Sequence, residues 1–264
     1  MDLEILTQQT REIAVTVGDF IREQKNNISP TIIEKKGIHD FVTYVDKTAE
    51  KKIVEGLSKI LPESGFITEE KTSTKKGAIY NWIIDPLDGT TNYIHGLSPF
   101  AVSIALMEKN EIILGVVYEI NLDECFYAYK GSKAFLNEKE INVTKTEKVD
   151  NSLIATGFPY YDYDKMEAFM QTLEFFMKNS HGLRRLGSAA TDLVYVACGR
   201  FDAFYEYSLH AWDVAAGAFI VKQAGGKVCD FNGKNNYLFG KEIIASNSLI
   251  HNEFLSIIKD YMYK

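Results

Sequence analysis

The sequence predicts an α/β protein built in layers, with an N-terminal half of two helices over a mainly antiparallel sheet and a C-terminal half of mixed sheet and helices. Three observations predict it. Two apolar stripes at helical spacing come first. A run of short strand-like segments joined by tight turns follows. From Ser152 onward, strand-like and helix-like segments alternate, and glycines close the helices.

The elements can be justified in order. Leu6, Ile13, Val17, Phe20 and Ile21 make the first amphipathic stripe, which fades near Asn26-Asn27. A polar segment, ISPTIIEKKGIHDF, is broken by Pro30 and Gly37. Val42, Val45, Ala49, Ile53, Leu57 and Ile60 form the second helix, stopped by Pro62. After the polar EEKTSTKKG the pattern turns to strands: AVSIALME, EIILGVVYE and ECFYAYK are joined by Lys109-Asn110 and Asn121-Leu122-Asp123, a meander without βαβ alternation. AFLNEKEINV reads as one more hairpin.

The second half reads as strand SLIATGF, helix DKMEAFMQTLEFFMK, strand GLRRL and helix SAATDLVYVAC. Strand FDAFYEY, helix DVAAGAFIVKQA, strands KVCDF and EIIASN, and helix NEFLSIIKDYMY complete it. No repeat, low-complexity tract or linker separates residues 1–148 from 149–264, so the halves are expected to form one compact unit.

Composition excludes several function classes. With 264 residues and 46% hydrophobic content the chain can bury a sizeable core. The 36 acidic residues outnumber the 29 basic ones, a net charge of -7, which argues against a nucleic-acid partner. A small anionic substrate would need metal ions or aimed backbone amides to enter so acidic a protein. Cys125, Cys198 and Cys229 are scattered and form no CxxC pair, against a cysteine zinc site or a disulfide framework. The acidic N-terminus is no signal peptide, and no apolar run approaches the roughly 20 residues of a membrane helix. The expected location is cytoplasmic, where the Asn142-Val143-Thr144 sequon carries no meaning.

Chemistry concentrates in YNWIIDPLDGTTNYIHG, residues 80–96. Asp85 ends a strand-like run, Pro86 stiffens the backbone at that point, and Asp88 returns on the same side of a turn. Gly89 permits close approach of a ligand, and Thr90-Thr91 open a short helix whose amides point outward. Carboxylates for hard cations beside a helix start for an anion suit metal-assisted phosphate chemistry. The plain alternative is a β-turn at Asp88-Gly89 with Thr90 as a helix cap. Glu69 and Glu70 alone are a solvated loop pair, Asp213 alone is a helix N-cap, and Asp46 with Thr43 alone is a capping box. Together, four segments end in acid.

These residues resemble the inositol monophosphatase family. WIIDPLDGTTNYIHG is similar to its first signature and WDVAAGAFIVKQAGG to its second, while VTYVD and FITEE fall where the family has two further acidic elements. The resemblance covers nearly the whole chain, in order. It implies the layered αβαβα fold of the Mg2+-dependent, Li+-sensitive sugar phosphatases, with two or three Mg2+ per site. By resemblance Glu69, Asp85 and the Leu87 carbonyl hold the first Mg2+, Asp85, Asp88 and Asp213 the second, and Glu69 helps with a third. Asp46 and Thr90 would activate the attacking water. Amides of Gly89 and Thr90 would contact phosphate, and Glu206 with the Ala189 amide would contact substrate hydroxyls. Lys36 falls where the family has a mobile loop.

The chemistry agrees without the name. A phosphate monoester is anionic and must be neutralised before water attacks, which two metals achieve. The chain offers no convincing Cys or Ser nucleophile, histidine metal spacing, G-x-S-x-G elbow or P-loop. His95 and His210 are expected at the rim or in structural roles, and Arg184-Arg185 as a surface pair.

The reading is Mg2+-dependent hydrolysis of a small phosphorylated polyol or sugar, first inositol-1-phosphate, by a homodimer that needs neither membrane nor nucleic acid. Fructose-1,6-bisphosphate or a 3′-phosphorylated nucleotide is the alternative substrate. A regulatory binding role with transcription machinery is the alternative of another class.

Overall fold

The structure is a computed structural model that describes residues 1–25, 34, 35, 41, 42 and 44–263. Helix α1 (Leu3–Gln24) begins where Asp2 Oδ1 accepts the Glu4 amide at 3.0 Å and the Ile5 amide at 3.2 Å. Strands β1 (Glu34–Lys35) and β2 (Phe41–Val42) pair antiparallel, and α2 (Tyr44–Ile60) follows. Val42 therefore belongs to a ladder rather than to the helix in which its spacing had placed it. Phe41-Val42, aromatic and β-branched, suit a strand. Lys36 and Thr43 lie outside the described residues.

One sheet takes the strands β3 (Gly65–Thr68), β4 (Tyr80–Asp88), β5 (Ala101–Glu108), β6 (Glu111–Glu119), β7 (Glu124–Tyr129), β8 (Ala134–Leu136) and β9 (Lys139–Ile141) in chain order. The short helix α3 (Thr90–Ile94) interrupts the run after β4. The meander is antiparallel as expected, but β3 pairs parallel to β4. The connection over residues 69–79 that makes this possible carries no helix.

The second sheet has the order β11-β10-β12-β14-β13. Here β10 (Leu153–Thr156), β11 (Gly182–Arg184) and β12 (Ala203–Tyr207) run parallel, and β14 (Glu242–Ser246) is antiparallel to β12 and to β13 (Lys227–Cys229). Helices α4 (Met166–Asn179), α5 (Ala189–Ala197), α6 (Ala211–Gln223) and α7 (His251–Met262) complete the second half.

Helices α1 and α2 cover one face of the first sheet, while α5 and α6 pack between the two sheets and α4 and α7 cover the far side. This is the layered α/β architecture that the sequence predicts. Strand parity shows how it forms. Along β5, Val102, Ile104 and Leu106 join the cluster beneath α1 and α2, whereas Ala101, Ala105 and Met107 join the cluster around α5 and α6. Because both faces are covered, β5 reads as a continuous apolar run rather than as an alternation. No helix among the described residues is long and apolar enough to cross a membrane.

Helix α6 lies unusually close to the first sheet at Gly115 of β6. A Cβ built there would stand 2.8 Å from the Ala216 carbonyl oxygen. Gly115→Val is expected to push α6 off the sheet and cost about 1–3 kcal/mol. Denaturant unfolding measures the loss.

Candidate active site

Position on β4 is settled by counting. Trp82 and Ile84 face the cluster under α1 and α2, and Ile83 faces α5 and α6, so Asp85 faces α5 and α6 too. In a regular strand Asp88 would then point the opposite way. It does not, because Asp85 pairs with Ser103 while Asp88 pairs with Ala101, so one extra residue is spent on β4. That residue is the β-bulge around Pro86 and Leu87, and it returns Asp88 to the face of Asp85. Proline has no amide for the ladder and belongs at such a bulge. The strand thus runs on to Asp88, where the sequence alone suggested an end at Asp85 in a turn. Leu87 is buried in the other cluster and donates its amide to Asp85 Oδ1 at 2.9 Å.

Four acidic side chains expected at the site converge electrostatically. Asp85 is buried, and that burial, followed by the charges of Glu69, Asp88 and Asp213, lifts its pKa well above the ordinary carboxylate range. Glu69 follows the end of β3, donates its amide to the Ile84 carbonyl at 3.3 Å, and shares a side-chain hydrogen bond with Asp85. Burial raises Asp88 to about 6, against the lowering effect of hydrogen bonds from Ser188, Ala190 and Ala189 and of the Arg185 charge. The Ser188 hydroxyl and the Ala190 amide each donate to Asp88 Oδ2 at 2.7 Å.

Asp213 is held in the first turn of α6, where its Oδ2 accepts the His210 amide at 2.7 Å. It is the third residue of that helix rather than its N-cap, a place taken by His210. Burial and then the Asp88 charge raise it to about 8.

Asp46, buried in the first turn of α2, accepts the Thr90 hydroxyl at 2.9 Å. Thr90 Oγ1 also lies 3.0 Å from the Leu87 carbonyl oxygen, so the hydroxyl has two acceptors for one proton. Gly89 caps α3 with φ of 91°, a left-handed conformation that favours glycine. The amides of Thr90 and Thr91, first in that helix, have no acceptor within it. Glu206, buried on β12, lines with Asp88, Ala189 and Asp213 a cavity of about 100 Å³.

Among the described residues no three His, Cys, Asp or Glu side chains already stand arranged to hold an ion. The fit to Mg2+ therefore rests on chemistry. The donors are all oxygen, which suits a hard cation, and around buried Asp85 they include the like charges of Glu69, Asp88 and Asp213, which a cation would relieve.

His210 sits exposed at the head of α6 with its ring stacked on Trp212 at 4.6 Å, and His95 is exposed after α3, both as expected of rim residues. Arg185 departs from expectation. Unlike Arg184 it turns inward, donates to the Tyr160 hydroxyl, lies 5.1 Å from the Phe158 ring, and lines the same cavity as Glu206.

Sequence reasoning missed Glu50, Ser188 and Asp192. Glu50 follows Asp46 by one helical turn, and that i, i+4 spacing was the available signal. Its buried carboxylate accepts the Glu70 amide at 2.7 Å, the Thr72 amide at 2.8 Å and the Thr72 hydroxyl at 2.7 Å, pinning the loop that begins at Glu69. Glu50→Ala strands these donors and is expected to cost about 3 kcal/mol. Thermal unfolding together with hydrogen exchange at residues 69–72 would register both the loss and its place.

Known proteins bear directly on this geometry. The profile of the inositol monophosphatase family matches residues 2–263. A Haemophilus influenzae protein named Nus factor SuhB is 43% identical over 90% of this chain and 88% of its own length. A Thermotoga maritima fructose-1,6-bisphosphatase/inositol-1-monophosphatase is 40% identical over 86% of each chain. The crystal structure of the extragenic suppressor protein suhB from Bartonella henselae superposes with a TM-score of 0.90 at 37% identity, covering 97% of this chain and 98% of that one. With carboxylates gathered from both sheets in the manner described, the chain belongs to the inositol monophosphatase family, a family of phosphatases.

Proposed function

We propose that the protein hydrolyses a small phosphate monoester, inositol-1-phosphate first, by in-line attack of water in the presence of Mg2+. One observation carries the reading: the half-buried Asp46–Thr90 hydrogen bond lies next to a bulge that gathers Asp85 and Asp88 on one face. In this reading Glu69, Asp85, Asp88, Asp213 and the Leu87 carbonyl hold Mg2+, which when bound would neutralise phosphate charge and lower the pKa of the attacking water.

The chain's own residues supply the rest. Thr90, donating to Asp46, turns its oxygen lone pairs toward the water, and Asp46 draws on the proton through that hydroxyl. Amides of Gly89 and Thr90 bind the phosphate oxygens. Glu206 and the Ala189 amide orient substrate hydroxyls, so that the ester oxygen leaves opposite the attack. The reading places the site between residues 1–148 and 149–264 of a cytoplasmic, Li+-sensitive homodimer.

Fructose-1,6-bisphosphate stays in view because the Thermotoga relative is named for both activities. A non-catalytic regulatory binding role with transcription machinery is the alternative of another class, and the name Nus factor borne by the Haemophilus relative favours it.

Phosphate release with Mg2+ from inositol-1-phosphate, fructose-1,6-bisphosphate and a 3′-phosphorylated adenosine nucleotide tests the proposal. Inositol-1-phosphate is expected to turn over fastest, with Asp85→Asn at background. A folded protein that releases phosphate from none of them overturns it. Thr90→Ala is expected to lower kcat by about 10²–10⁴-fold, with a smaller effect on KM.

A further inference from the structure

The cavity beside Asp88 contains a second acidic side chain to which neither family signature extends. Asp192 lies in the first turn of α5, 1% exposed, and its Oδ1 has no hydrogen-bond partner. A buried carboxylate oxygen without a donor is costly and calls for an explanation. Asp192 nevertheless lines the same cavity of about 100 Å³ as Glu206, which is itself 6% exposed.

Two features show that this pocket wall is built. At Gly157 a Cβ would stand 2.0 Å from Glu206 Cδ, so only a glycine leaves room for that carboxylate. Arg185 lines the cavity as well, and its charge acts on both Asp192 and Glu206. The guanidinium offsets part of the charge on these two carboxylates, and hydroxyls are donors that their oxygens can accept. The volume suits a fragment of a few heavy atoms rather than a large group.

We propose that Asp192 is a substrate-binding residue which, with Glu206, accepts hydrogen bonds from two hydroxyls of a polyol phosphate. The inference rests on the phosphatase reading above and sharpens it. One acceptor discriminates poorly among hydroxylated substrates, whereas two acceptors on one pocket wall select a pair of hydroxyls over an ester that has none. Such a site rejects the analogue lacking the donors because its buried acceptors then stay unpaired. Asp192 does not touch the reacting phosphate in this assignment.

The test compares wild-type protein with Asp192→Asn on inositol-1-phosphate and on 4-nitrophenyl phosphate, which carries no hydroxyl. Asp192→Asn is expected to raise KM for the polyol ester about tenfold or more at nearly unchanged kcat. The aryl ester should keep its kinetic constants. Equal losses on both esters would show a structural role and overturn the proposal, as would no change on either. Asp192→Ser repeats the comparison should the Asn variant unfold, and unfolding of both would make the residue structural and overturn the assignment. Wild-type protein inert toward both esters would instead sink the phosphatase reading itself, a failure distinct from a wild type that is active and indifferent to Asp192.

Discussion

Side chains alternate along a strand, and the site depends on a single breach of that rule. Were β4 regular through Pro86 and Leu87, Asp85 and Asp88 would point to opposite faces of the sheet, one into the α5–α6 layer and the other toward α2. The bulge puts both carboxylates on one face and leaves Leu87 anchored in the opposite core. It also ends the strand next to Gly89, whose left-handed backbone starts α3 and brings Thr90 to Asp46. One displaced register thus connects the carboxylate pair, the Asp46–Thr90 hydrogen bond and the amides at the helix start.

The same convergence strains the molecule. Holding several carboxylates out of water costs a few kcal/mol for each charge that must stay ionised. The protein offsets part of this with Ser188, with the amides that open α5 and with the Arg185 guanidinium. Asp85 accepts the Leu87 amide yet stays raised by burial and its acidic neighbours, and Asp192 Oδ1 has no hydrogen-bond partner. In the proposed reading these groups stay open because a cation or a hydroxyl is to meet them.

Much of this was legible in the sequence, because helices and short strands announce themselves by periodicity. The layered architecture, the meander, the Asp46–Thr90 pairing and the acidic segment ends all came from residues or from the signatures they compose. Three features were not legible. The parallel pairing of β3 with β4 depends on a connection that has no pattern of its own. The bulge depends on the partner strand's register, and Asp-Pro-x-Asp-Gly reads equally well as a turn. Asp192 and Arg185 look like ordinary helix and surface residues until the fold turns them inward, since burial of a polar group is a property of tertiary packing alone.

The position of α5 and α6 between the sheets has a consequence for the history of such chains. These two helices are apolar nearly all round, and each face is completed by a different half of the sequence. Neither half can therefore be lent to another protein as a finished module, because either would arrive with a bare apolar face. A change at Gly115 must also be answered on α6, far away in the gene.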